Sequence, residues 1–105
     1  MSKQIAKWTY KIHIIDENNT DFRERVVYQM VASVANDHNI TIPEVGIYES
    51  TQPNAFATGA SKNTALVAVS TGLLQLMTDD EVRAVVGHEM AHVLNGDMVS
   101  MTLLQ

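Results

Sequence analysis

The feature that most constrains the fold is a stretch that specifies a single helix from start to stop. Thr78 and Glu81 bracket a capping box, in which the Thr78 hydroxyl and the Glu81 carboxylate satisfy amide groups of the first turn. Asn95 and Gly96 form a stop signal, because glycine readily takes the left-handed conformation that ends helices. The residues between are apolar around most of the helix circumference, so we expect a largely buried helix over residues 79–94.

Inside this predicted helix the chain reads His88-Glu89-Met90-Ala91-His92. Side chains four residues apart lie on one helix face, about 6 Å from each other, so His88 and His92 can aim ring nitrogens at one point. Such a pair is typical of zinc ligands. Glu89 is rotated about 100° from His88 and about 60° from His92, which places it beside the metal and able to act on a water there. The pattern predicts the layout of a zinc peptidase.

Two other interpretations of this pattern stay open at the level of the motif. About one chain of this length in a hundred carries the three fixed positions by chance. The histidines would then be hydrogen-bonded residues of an ordinary core helix in a non-catalytic interaction domain, and a test of zinc affinity separates that interpretation from a metal site. A deformylase-like hydrolase also uses the motif, but it needs a cysteine ligand and this chain has no cysteine.

A catalytic zinc normally takes three protein ligands, and the sequence supplies two. The metzincin pattern is excluded, because Asn95 and Met98 occupy the positions of its glycine and third histidine. In the thermolysin-like arrangement the third ligand is a glutamate on a later helix, which we expect beyond Gln105. Asp97 has two interpretations: it orients a ligand histidine from the second shell, or it caps a further helix over residues 98–105.

The remaining pattern predicts an α+β fold of zincin-like type, with the metal helix and a scaffold helix packed on a small sheet of about three strands. The scaffold helix is predicted over residues 21–38, where apolar residues recur at helical spacing. Strands are predicted at residues 45–49, 54–58 and 65–69, the last two as a hairpin, with a weaker candidate at 10–14. A short helix is expected from Ser70 or Thr71 to Leu76.

Length and charge narrow the class of protein further. The 105 residues are expected to form a single domain, and a formal net charge of -5 argues against a nucleic-acid partner. No apolar run approaches the roughly 20 residues of a membrane span. Lys3, Lys7 and Lys11 accompany Trp8 and Tyr10, which fits either a solvated N-terminal arm or a segment near an anionic bilayer.

Three motifs in order resemble the HtpX family of bacterial membrane-bound zinc metalloproteases. They are the Pro-Asn-Ala-Phe-Ala-Thr-Gly of residues 53–59, the Leu-Val-Ala-Val-Ser-Thr-Gly-Leu-Leu of residues 66–74, and the histidine motif with the Asn-Gly-Asp-Met of residues 95–98. The resemblance implies a zinc endopeptidase segment between membrane spans of the bacterial inner membrane, facing the cytoplasm. It also implies Glu89 as catalytic base, a downstream glutamate as third ligand, and little activity for the chain without it.

The same resemblance implies polypeptide substrates, namely damaged or misfolded membrane proteins in heat-shock quality control. An extended peptide commonly adds to an exposed sheet edge, whose amides and carbonyls are unpaired. We expect residues Asn54, Ala55, Phe56 and Ala57 to form that edge. A proline in place of Ala55 should then impair cleavage.

Overall fold

The computed structural model describes residues 1–98 and the backbone of residues 100–103, and in it a mixed five-stranded sheet lies between two helical layers. Along the chain, the elements are α1 Lys3–Tyr10, β1 His13–Ile15, α2 Phe22–Asp37, β2 Glu44–Tyr48, β3 Asn54–Thr58, β4 Leu66–Ser70, α3 Thr71–Leu76, α4 Asp79–Asn95 and β5 Ser100–Leu103.

The sheet has the strand order β1-β2-β4-β3-β5. Strands β2 and β4 are parallel, and every other neighbouring pair is antiparallel. All five residues of β4 are buried, which suits its central position and the apolar run that predicts it. The predicted hairpin of β3 and β4 is confirmed, with Phe56 opposite Ala68.

Alternation along the strands divides the interior into two clusters, one on each face of the sheet. On one face, alternate strand residues such as Val45 and Val67 pack with the buried sides of α2, α3 and α4. On the other, Tyr48, Phe56 and Leu66 pack against Ala6 of α1, with Tyr10 beside them. The metal-motif helix and α1 therefore lie on opposite sides of the sheet.

The mixed α and β composition is confirmed, but the sheet has five strands rather than about three. The strand candidate at residues 10–14 is shifted, because Tyr10 is the last residue of α1 and β1 covers His13–Ile15. Alternation over so few residues is a weak signal for a strand. The three residues of β1 are held in extended form by their pairing with β2, which local sequence does not encode. No helix among the described residues has the length and apolarity to cross a bilayer.

Helices α2 and α4 pack together beneath the sheet, and Arg23 ties their N-terminal ends. Its Nε lies 2.7 Å from Oδ1 of Asp79, at the start of α4, and its guanidinium also donates to the carbonyl of Met77. Asp21 caps α2 by accepting a hydrogen bond from the Glu24 amide at 3.1 Å. These contacts fix the starting point of the helix that carries the histidines.

Candidate metal centre

Helix α4 has both of the ends that its sequence predicts. The Thr78 hydroxyl accepts from the Glu81 amide at 3.2 Å, and the Glu81 carboxylate accepts from the Thr78 amide at 2.9 Å. At the other end Gly96 has φ +77°, in the left-handed region that favours glycine. The helix extends one residue beyond the prediction, to Asn95. The prediction of a largely buried helix is wrong, because only the inner face of α4 is buried, along Val82, Val86 and Val93, and the outer face with His88 is exposed.

His88 and His92 come together as their spacing predicts. Their Nε2 atoms are 3.3 Å apart, and the two rings meet edge to face at 89° with centroids 4.8 Å apart. Two nitrogens bound at about 2.0–2.1 Å to one tetrahedral zinc are separated by about 3.3–3.4 Å. The observed separation of the Nε2 atoms therefore fits a shared metal ion.

Asp97 holds His92 at both its ring and its backbone. Its Oδ1 lies 2.9 Å from Nδ1 of His92, and its own amide donates to the His92 carbonyl at 3.0 Å. An ionised carboxylate only accepts hydrogen bonds, so Nδ1 of His92 is the donor in this contact, and in the neutral imidazole the Nε2 atom toward His88 then carries the lone pair. This is the carboxylate–histidine support found behind zinc ligands. The alternative prediction, a helix over residues 98–105 capped by Asp97, is wrong, because residues 100–103 form β5. Residues 99, 104 and 105 of that prediction lie outside the described residues.

Glu89 lies on the inner side of the same turn. It has no exposed surface, whereas His88 is exposed and the His92 side chain is 27% exposed. The carboxylate is therefore enclosed in packed protein and not in open solvent, which restricts its movement.

A third metal ligand is not found within residues 1–98. No group of three histidine, cysteine, aspartate or glutamate side chains in the described part of the chain is arranged to hold a metal. Asp97 is committed to the Nδ1 side of His92. Among the described residues the donor set is thus two imidazole nitrogens, a ligand type that suits zinc.

The predicted substrate edge is wrong for this structure. Ala55, Phe56 and Ala57 are paired on both sides, with β4 and with β5, and Asn54 is paired with Leu103 of β5. Ala55 is opposite Thr102 and Ala57 is opposite Ser100, so the outward backbone groups of β3 already have a strand beside them. The sequence could not reveal this, since the pairing of β5 depends on how the chain turns after Gly96.

Two ionisable groups with shifted pKa values lie away from the histidines, on the α1 side. Hydrogen bonding from Lys7 is the main cause that lowers the pKa of Glu44, with Lys3 assisting; the Nζ atoms of Lys7 and Lys3 lie 2.9 and 3.1 Å from its carboxylate. Burial raises the pKa of Tyr48 to about 12. No sequence pattern predicts either shift, because Glu44 and Tyr48 meet α1 only through the tertiary fold.

The sequence of the chain matches a known family of enzymes. Residues 21–105 match the family described as Peptidase family M48. The chain therefore belongs to peptidase family M48, a family of metallopeptidases.

Within that family the similarity is to proteases named HtpX. The chain is 58% identical over 105 residues to the protease HtpX homologs of Variovorax paradoxus (strain S110) and Paracidovorax citrulli (strain AAC00-1). It is 55% identical over 105 residues to the protease HtpX homolog of Neisseria meningitidis (strain FAM18). Each match covers 100% of this chain, but only 36%, 35% and 37% of the respective relatives. The chain thus spans about a third of the length of these proteins.

Proposed function

We propose that this chain is the zinc-binding core of a metalloendopeptidase, with His88 and His92 as metal ligands and Glu89 as catalytic base. The observation that carries the proposal is the 3.3 Å separation of the two Nε2 atoms, together with the bond from Asp97 that sets the tautomer of His92. When bound, zinc supplies a Lewis acid that makes water a stronger acid and polarises a carbonyl.

Metal binding and proton transfer are assigned to different residues of the chain. His92 presents its Nε2 lone pair because Asp97 accepts the proton of Nδ1. Glu89 accepts a proton from the attacking water and delivers it to the amine that leaves, so the peptide bond is cleaved without a free hydroxide or amide anion. Its burial keeps the base in one position and excludes bulk water.

The biological setting is part of the same proposal. The chain would act on polypeptides, namely misfolded or damaged membrane proteins in stress-response quality control, at the bacterial inner membrane and facing the cytoplasm. The similarity to proteases named HtpX supports an action on polypeptides. A glutamate from outside the present sequence would complete the ligand set, and the chain alone would hydrolyse peptides poorly.

Calorimetric titration of the chain with zinc tests the metal site. We expect one zinc per chain, and no binding by a His88→Ala, His92→Ala double variant. His13→Ala, His38→Ala is the matched control, because those two histidines lie in β1 and after α2. Equal zinc binding by both double variants would contradict the assignment.

A longer chain that includes the missing ligand tests the chemistry. There, Glu89→Gln should keep zinc and abolish peptide hydrolysis, since an amide does not accept the proton of water. Hydrolysis at the normal rate by that variant would show that Glu89 is not the base.

A further inference from the structure

Helix α1 presents apolar side chains on the side that faces away from the sheet. Ile5 is 57% exposed and Trp8 is 83% exposed, and Met1, just before the helix, is 53% exposed. At about 100° per residue, Ile5 and Trp8 are about 60° apart on the helix surface, so they form one stripe. A helix whose outer face serves only solvation would carry polar residues there.

The opposite face of α1 is already satisfied by the fold. Ala6 is fully buried, Tyr10 packs on Tyr48 with ring centroids 5.2 Å apart, and Lys3 and Lys7 reach back to Glu44. The lysines of α1 therefore anchor the helix to the sheet instead of pointing outward. The outer stripe is the part of α1 that is left for a partner.

Charge is distributed unevenly between the two sides of the sheet. All four lysines of the chain lie on the α1 side: three in or just after α1, and Lys62 in the turn whose residues border the N-terminus. Of the twelve acidic residues, five fall between residues 16 and 37 and five between 79 and 97, in or beside α2 and α4. The α1 side also carries Glu44 and Glu49, and the three arginines of the chain lie in α2 and α4. In a chain of net charge -5, the α1 side thus has four basic against two acidic side chains, and the other side three against ten.

We propose that α1 binds in the interface of an anionic lipid bilayer, with Met1, Ile5 and Trp8 entering the headgroup region and Lys11 close to lipid phosphates. Tryptophan and adjacent lysine are the side chains that favour this zone, where the ring is half solvated and the ammonium meets anionic headgroups. Three apolar side chains are too few for a second copy of the chain, since a stable protein interface uses about 20–30 residues a side. The inference does not depend on the proposed peptidase chemistry.

Trp8 is the only tryptophan, so its fluorescence reports on this site alone. The test titrates the 105-residue chain with vesicles of equimolar phosphatidylcholine and phosphatidylglycerol, and separately with pure phosphatidylcholine vesicles. We expect a blue shift and quenching by brominated acyl chains with the anionic vesicles, and much weaker binding to the neutral ones. No shift with the anionic vesicles would overturn the proposal.

Variants distinguish binding through the apolar stripe of α1 from non-specific binding to vesicles. Ile5→Ser should weaken partitioning about ten-fold, in line with the loss of one large apolar side chain from the interface. Lys11→Glu should weaken binding to anionic vesicles by at least about five-fold and leave the neutral-vesicle result unchanged. Leu76→Ser is the matched control, because Leu76 is 67% exposed but belongs to the opposite helical layer, and it should bind like the parent.

Two results would contradict the lipid assignment even if the fluorescence changes. A blue shift that grows with protein concentration without vesicles, together with dimers in sedimentation velocity, would assign the stripe to a second copy of the chain. Equal losses for Ile5→Ser and Leu76→Ser would show that vesicle binding is not made through α1. Circular dichroism confirms that each variant, altered at an exposed site, keeps its fold.

Discussion

At the scale of single residues, the site depends on a sequence pattern and on one contact that no pattern reveals. The spacing of His88 and His92 on a well-delimited helix is enough to predict that their rings meet, as they do. The role of Asp97 stays undecided in the sequence, because it follows a turn of unknown path. Only the closed turn at Gly96 brings its carboxylate and its amide onto His92.

Removal of the Asp97 side chain should weaken zinc binding without unfolding the chain. In Asp97→Ala, His92 loses the acceptor that holds its Nδ1 proton, and such supports typically contribute about 10–100-fold in metal affinity. Calorimetry with zinc on the parent and variant measures the ratio. Asp37→Ala removes an equally charged, exposed residue far along the chain, and a similar loss there would assign the effect to net charge.

The buried phenol of Tyr48 should make the fold sensitive to strong alkali. Its pKa is raised to about 12, so the unfolded chain loses the phenolic proton first, near the usual value of 10. The stabilising effect is complete below pH 10 and disappears as pH rises through about 12. Urea unfolding across that range should show a smaller fall in stability for Tyr48→Phe than for the parent; parallel curves would contradict the assignment.

At the scale of elements, predictability follows how much of an element is encoded locally. Helix α4 carries its own capping box and stop, and strand β3 is predicted with its observed bounds. Strands β1 and β5 are three and four residues long and are defined by the partners β2 and β3. Local propensity cannot anticipate such pairings, and for this reason the number of strands and the free edge were both predicted wrongly.

Two glycines give opposite predictions when replaced by alanine. A Cβ on Gly72, in α3, would lie 2.5 Å from the carbonyl oxygen of Thr51 and 2.7 Å from that of Ser50, so the backbone must shift. Gly72→Ala should lower the free energy of unfolding by about 1–3 kcal/mol. A Cβ on Gly87, in α4, would contact only Cε at the flexible end of Met30, at 3.2 Å.

Gly87→Ala is therefore the control for that experiment. Alanine gains up to about 1 kcal/mol over glycine in a helix interior, so this variant should be as stable as the parent or more stable. Urea unfolding measures both. Destabilisation of equal size in the two variants would show that the close approach at Gly72 is not the cause.

At the scale of the molecule, Glu44 of β2 ties α1 to the sheet, because its carboxylate contacts both Lys3 and Lys7. The sequence indicates basic residues and aromatics near the N-terminus, but it cannot tell a solvated arm from a packed helix. Helix α1 packs because Tyr48 and Phe56 form an aromatic surface on the face of the sheet opposite α2 and α4. The layer arrangement thus depends on residues about 40 positions away along the chain.

Loss of this ion pair should alter acid stability. The pKa of Glu44 is lowered mainly by Lys7, so its contribution is present above the unfolded pKa and disappears as pH falls through the lower, folded pKa. Since the carboxylate is 36% exposed, we expect Glu44→Gln to cost only about 0.5 kcal/mol at neutral pH. Its unfolding free energy should decline less steeply below pH 5 than that of the parent, as measured in urea.

The two hydrogen bonds between Asp97 and His92 constrain the number of residues in the turn that joins them. Surface turns usually tolerate an inserted residue, because their ends need only stay close. The turn at Gly96 depends on its exact length. One added residue would move the Asp97 carboxylate away from Nδ1 of His92 and the Asp97 amide away from the His92 carbonyl. Substitutions at the exposed Asn95 leave both bonds in place, whereas an insertion or deletion removes them together. The ten residues from His88 to Asp97 therefore form a module that could be transplanted into another helix end only with its length intact.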